Sequence, residues 1–136
     1  MTDTFAPLSA GMGSFRIDVE IENPAAPGVR GAIASVLVDT GAELSCFPSA
    51  TLEALGIARR QQRRFRQADG SVLVRWTGPA FVYAAGASTT DEVVFGEPGD
   101  LILLGSRSLE GLNLIVDPVA KRLADAGPMP LAPAGF

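Results

Sequence analysis

The sequence predicts an all-β fold with one or two short helices, and three observations carry that expectation. Short runs rich in β-branched and aliphatic residues recur at close spacing, Gly, Pro, Asn and Asp clusters punctuate them, and helix-period patterns barely exceed two turns. Many short strands with turn signals between them are the signature of a closed β-barrel. At 136 residues the chain is large enough for one domain with its own core.

Phe15, Ile17, Val19 and Ile21 alternate with Arg16, Asp18, Glu20 and Glu22, the period of a half-buried strand. Asn23 to Gly28 breaks the pattern. The chain then returns through Gly31 to Val38, predicting an antiparallel pair. Gly11-Met12-Gly13 resembles a phosphate loop only superficially, because no helix follows it.

The run Val36-Leu37-Val38 delivers Asp39 to its end, and Gly41 breaks it at once. An ionised acid at the end of a buried strand must be hydrogen-bonded, paired or protonated. Thr40 offers a hydroxyl and Gly41 an N–H that can point at the carboxylate. On three residues alone, a strand-ending turn is the simpler reading.

Farther on, Ser49 is placed to cap a short helix over Ala50 to Leu55, with Gly56 where a left-handed residue would end it. Five arginines fall in the eight residues from Arg59 to Arg66 around Phe65. They fit either a charged edge strand or a surface for RNA or an acidic peptide. Asp69-Gly70 predicts a hairpin pairing Arg63 to Gln67 with Val72 to Trp76. Gly78-Pro79 is expected to start a further strand pair, Ala80 to Ala84 and Thr89 to Phe95, turning at Ala85-Gly86. Leu101 to Gly105 reads as a fully buried strand, and Ser106 to Leu109 as a second helical segment. Asp117 before Pro118 reads as a turn-forming acid, and the alternate prolines after Gly127 exclude an interior strand.

Composition excludes whole classes of chemistry. The chain has no histidine, so Ser-His-Asp and Cys-His nucleophiles cannot be built. One cysteine, Cys46, supplies neither a disulfide nor a thiolate cage, and no metal or cofactor is expected. Carboxylate chemistry is what remains, with a Ser-Lys dyad through Lys121 as an outsider. The net charge of -4, from 11 basic and 15 acidic residues, argues against a general nucleic-acid binder. The acidic N-terminal stretch does not suit a signal peptide and no apolar run spans a bilayer, so the expectation is a cytoplasmic protein without a membrane partner.

The string Val36 to Ala42, continued by Glu43-Leu44-Ser45-Cys46-Phe47-Pro48, resembles the active-site strand and loop of aspartic proteases of the single-domain, retropepsin-like kind. The resemblance implies a closed acid-protease β-barrel over residues 15–123, with an N-terminal extension at 1–14 and a Pro-rich tail at 124–136. It implies a catalytic role for Asp39, a hydroxyl of Thr40 that bonds across a dimer axis, and a loop turning at Gly41 and Ala42. The hairpin tip Ala68-Asp69-Gly70-Ser71, thirty residues past Asp39, matches the flap that closes over bound peptide. Leu104 and Gly105 match the apolar strand that threads behind the catalytic loop, and Leu112 to Pro118 the strand that closes the barrel. Since the chain holds one Asp-Thr-Gly and the chemistry needs two acids, the implied enzyme is a homodimeric endopeptidase acting on peptide or protein. Alternatives from other classes are a non-catalytic dimeric module that binds a peptide or partner, and a β-barrel that binds RNA through Arg59 to Arg66.

Overall fold

A computed structural model describes residues 14–132; Gly11-Met12-Gly13, nearly all of the expected N-terminal extension and the last four residues of the tail lie outside them. Nine strands and two six-residue helices make a mostly β structure. In chain order they are β1 (Arg16–Glu22), β2 (Arg30–Val38), β3 (Ser45–Pro48), α1 (Ser49–Ala54), β4 (Gln61–Arg66), β5 (Val72–Ala84), β6 (Ala87–Gly96), β7 (Leu103–Leu104), α2 (Ser106–Gly111), β8 (Leu114–Asp117) and β9 (Arg122–Asp125).

Seven strands form one mixed sheet in the order β1-β2-β7-β3-β6-β5-β4, and β1 also pairs with β5. That last pairing closes a ring of six strands, with β4 hanging from β5 as an edge. Val19, Ile21, Val36, Val38, Phe47, Val82, Val93, Phe95 and Leu104 fill the interior. Burying each such side chain contributes roughly 1.5–3 kcal/mol.

The alternation of β1 holds except at its end. Glu22 is buried, because the Gly28 N–H (2.5 Å) and the Tyr83 hydroxyl both donate to its carboxylate. These bonds, Tyr83 first, hold its carboxyl below the ordinary 4.5. Between β1 and β2 the register shifts near Asp18: Ile17 faces Val36 and Val19 faces Ile33, so β2 spends an extra residue. Ser35 absorbs it with φ of 61° and donates its N–H to Asp18 Oδ1.

Several expectations are corrected. Gly78-Pro79 does not start a strand; β5 runs unbroken through it for 13 residues. Proline is tolerated because, on that edge, Thr77 is the last partner of β4 and Phe81 the first partner of β1, leaving residue 79 between them. Ser49 does not cap α1, whose N-cap is Pro48 and carries no side-chain cap; Gly56, at φ of 74°, does end it. Leu101 to Gly105 is not a fully buried strand: β7 has two residues, and Leu101 is 53% exposed. The 112–118 segment does not close the sheet. β8 pairs only with β9 in a separate two-stranded sheet, because Asp117 accepts the N–H groups of Val119 and Ala120 and turns the chain back on itself. β9 thereby crosses the expected tail boundary at residue 124.

The β4–β5 hairpin forms, but one residue out of the expected register: Arg63 lies opposite Arg75 and Arg66 opposite Val72, where the expected pairing sets Arg63 against Trp76 and Gln67 against Val72. Its turn differs: Gly70 alone of the Asp-Gly pair has positive φ, and its N–H donates to Gln67 O (2.9 Å). The connection is a three-residue loop with a left-handed glycine in place of a two-residue turn. The two-residue kind occurs instead at Ala85-Gly86, where both φ values are positive.

Gly78 approaches the Ala58 carbonyl so closely that an added Cβ would lie 2.1 Å from that oxygen. Gly78→Ala is expected to destabilise the fold by about 1–3 kcal/mol, since a main-chain atom must move. Urea unfolding checks this: the midpoint should fall with little change in slope.

Candidate functional site

Asp39 leaves β2 half-buried, while Thr40 and Gly41 are exposed. One carboxylate oxygen, Oδ1, accepts the Gly41 N–H at 2.9 Å. The Ala42 N–H donates to Asp39 O at 3.3 Å and tightens the same turn. Among the described residues no cation pairs with this carboxylate and the Thr40 hydroxyl makes no hydrogen bond.

A second segment, residues 102–107, holds this loop from behind. Leu37 N–H donates to Ile102 O (3.2 Å) and Asp39 N–H to Leu104 O (3.0 Å). From the other side Ser106 N–H reaches Ala42 O (2.8 Å) and Arg107 N–H reaches Glu43 O (3.0 Å). Gly105 sits at the crossing. A Cβ there would come within 2.8 Å of the Leu44 carbonyl and 2.9 Å of Ala42 O, so only glycine lets the two segments touch. Six of the residues singled out in the sequence, Asp39 to Ala42 with Leu104 and Gly105, are thus one assembly.

Behind it runs a hydroxyl chain that no local sequence pattern signals. Ser108 and Ser45 are fully buried, and their hydroxyls lie 2.6 Å apart. Ser108 donates its single proton to Asp91 Oδ2 (2.8 Å), so Ser45 must donate to Ser108. Ser45 Oγ in turn accepts the Gly105 N–H (2.9 Å). The partners are 63 residues apart, and each looks like an ordinary small residue in its own segment.

The hairpin tip, Ala68 to Ser71, is exposed. Asp69 accepts the N–H and hydroxyl of its neighbour Ser71, which lower its carboxyl from 3.8. No hydrogen bond joins this tip to the Asp39 loop among the described residues. The connection runs instead through charged side chains lower on the arm. Arg63 of β4 pairs with Glu92 of β6, Arg107 of α2 lies 3.6 Å from Glu92, and Arg107 binds Glu43 at 2.8 Å. Glu92 also accepts the Thr77 hydroxyl (2.6 Å), and its carboxyl is lowered, first by Arg63. Arg75 of β5 makes a two-pronged pair with Asp100, at 2.7 and 2.8 Å.

Two open grooves mark the surface. One of about 690 Å³ is lined by residues such as Arg30, Ala32, Tyr83 and Gly86; the other, about 580 Å³, by Arg60, Pro79, Glu92 and Arg107. Neither reaches Asp39. The Cys46 thiol is pushed up to about 12 by burial and is no nucleophile. Among the described residues no group of three His, Cys, Asp or Glu side chains is arranged to hold a metal ion, and no helix is long and apolar enough to cross a membrane.

Ser108→Ala breaks the hydroxyl chain and leaves the buried Ser45 hydroxyl and the half-buried Asp91 carboxylate each short of a partner, at an expected cost of about 1–3 kcal/mol; the urea midpoint checks it. A second expectation concerns acid. Arg75's hydrogen bonds hold the Asp100 carboxyl below its ordinary 3.8, against a smaller opposing effect of burial. A depressed carboxyl stabilises the fold above its unfolded value and loses that contribution as pH falls through the folded value. The stability gap between wild type and Asp100→Asn should therefore be full above about pH 5 and shrink below about pH 4, read by urea melts across that range.

No protein-family model and no curated protein matches the chain.

Proposed function

We propose that the chain is an aspartic endopeptidase of retropepsin-like fold, working as a homodimer in which Asp39 of each copy faces the other across a two-fold axis. The observation that supports it most is the state of Asp39 itself. Its carboxylate is half-buried, takes one hydrogen bond from Gly41, has no cation paired with it among the described residues, and rides on a loop fixed from behind by Leu104 to Arg107. Asp117 and Asp69, which serve turns, each accept two local hydrogen bonds on Oδ1, where Asp39 accepts one.

Neither of the two open grooves is lined by Asp39, and the reading builds the substrate groove between two copies. The exposed Thr40 hydroxyl, which makes no hydrogen bond among the described residues, would meet the partner loop there. Two carboxylates brought together hold one proton between them, because like charges at that range resist joint ionisation; this is established behaviour of aspartic proteases as a class, applied to this chain by proposal. The ionised acid takes a proton from water, whose oxygen attacks the peptide carbonyl carbon. The protonated acid stabilises the carbonyl oxygen, and a proton passes to the amide nitrogen as the C–N bond breaks. The β4–β5 hairpin serves as the flap over extended peptide, with Ala68 to Ser71 at its tip.

Asp39→Asn is expected to lower cleavage of an unfolded protein substrate by about 10²–10⁴-fold while the protein stays folded and dimeric. Peptide cleavage, circular dichroism and sedimentation check the three parts. Full activity in that variant, or a wild-type protein strictly monomeric at micromolar concentration, would sink the proposal. A dimer that binds a statine-type mimic yet cuts nothing would be the non-catalytic binding module instead.

A further inference from the structure

The two faces of the β4–β5 hairpin differ in a way the proposed hydrolysis does not require. Directly opposed residues in an antiparallel pair share a face. The register therefore puts Phe65, Leu73, Arg63 and Arg75 on one side, and Arg64, Arg66, Val72, Val74 and Trp76 on the other. On the first side both arginines are neutralised by the body of the protein, through Glu92 and Asp100. On the second side neither Arg64 nor Arg66 has an acidic partner among the described residues, and Val72, Val74 and Trp76 are 42%, 50% and 38% exposed. Isolated exposed apolar residues are ordinary, but three in successive same-face positions form a continuous strip. The aliphatic stems of the two arginines widen it.

We infer that this face of the hairpin is a docking surface for an extended acidic peptide carrying large apolar side chains. The charge on the page selects that occupant. An uncharged partner would leave two guanidinium groups desolvated without a counter-charge, and a second copy of the same face would set arginine against arginine. A nucleic acid would find one aromatic ring to stack on and a chain of net charge -4 behind it. A peptide mixing leucine or phenylalanine with glutamate covers the strip and pairs the arginines together.

Trp76 is the only tryptophan in the chain, so its fluorescence reads this surface directly. The full-length protein is titrated with a capped octapeptide of leucine, phenylalanine and glutamate, in wild type and in Asp39→Asn. A saturable blue shift is expected in both. Replacing the peptide's glutamates by lysine, or its apolar residues by glutamate, should weaken binding by about tenfold or more, as should the double variant Arg64→Glu with Arg66→Glu. The milder pair Arg64→Lys with Arg66→Lys should retain most of it, which separates lost charge from a damaged hairpin. No shift, an equal response to oligoglutamate or an oligonucleotide, or a shift on raising protein concentration alone would each overturn the inference. Binding in Asp39→Asn is independent of cutting, so failure of the docking surface and failure of the proposed peptidase remain distinguishable.

Discussion

The contact on which the candidate site depends is the crossing of two main-chain segments at Gly105. Four backbone hydrogen bonds tie residues 37–43 to 102–107, two on each side of it. Each bond contributes a modest net amount, on the order of 1 kcal/mol, but leaving buried amides unpaired costs more, so the segments hold or fail together. The short β7 strand serves this purpose more than it serves the sheet: it pairs in parallel with β2 and antiparallel with β3, bridging the strand that leads to Asp39 and the one that leaves its loop. The buried Ser45 hydroxyl then closes the remaining gap by accepting the Gly105 amide.

Where Asp39 points is set one step earlier, by the bulge at Ser35. Side chains alternate along a strand, so Ile33, Ser35, Leu37 and Asp39 would share a face in a regular β2. Ile33 belongs to the core, and a regular strand would therefore aim the carboxylate inward with it. The extra residue shifts the phase: Val36 and Val38 join Ile33 in the core, while Leu37 falls on the opposite face. Leu37 is itself buried, so Asp39, next in phase with it, leaves the central core cluster but stays half-buried; full burial as an isolated charge would cost several kcal/mol or more.

The β1 and β2 strands, the existence of the β4–β5 hairpin and the break after Val38 were legible in the sequence because local alternation and turn residues report them directly; the hairpin's register was not, since the extra residue of its loop shifts the pairing by one. The bulge was not legible, since Ser35 is an unremarkable residue whose role is fixed by the partner strand. Nor was the continuity of β5 through Gly78-Pro79. Those two residues locally signal a break, and only the gap between β4 and β1 on the same edge makes them compatible with a strand. The Ser45–Ser108–Asp91 chain and the Arg63–Glu92–Arg107–Glu43 series join residues from distant segments. No local pattern could announce them.

That charged series gives the hairpin and the Asp39 loop a shared set of neighbours. Isolated exposed ion pairs contribute little, but Glu92 is only 19% exposed, accepts from Thr77 as well, and lies between two guanidinium groups. Removing it would leave Arg63 and Arg107 facing each other across a half-buried gap, so the three behave as one unit. The arm is thus anchored from Arg63 and Arg75 inward, whereas beyond them it is held, among the described residues, by its own β4–β5 ladder and by the bonds among Gln67, Asp69, Gly70 and Ser71. An element fastened at its base to the scaffold that positions an acid, self-contained at its tip, and apolar on its outer face has the build of a part that meets a ligand; a hairpin serving only the core would turn Val72, Val74 and Trp76 inward.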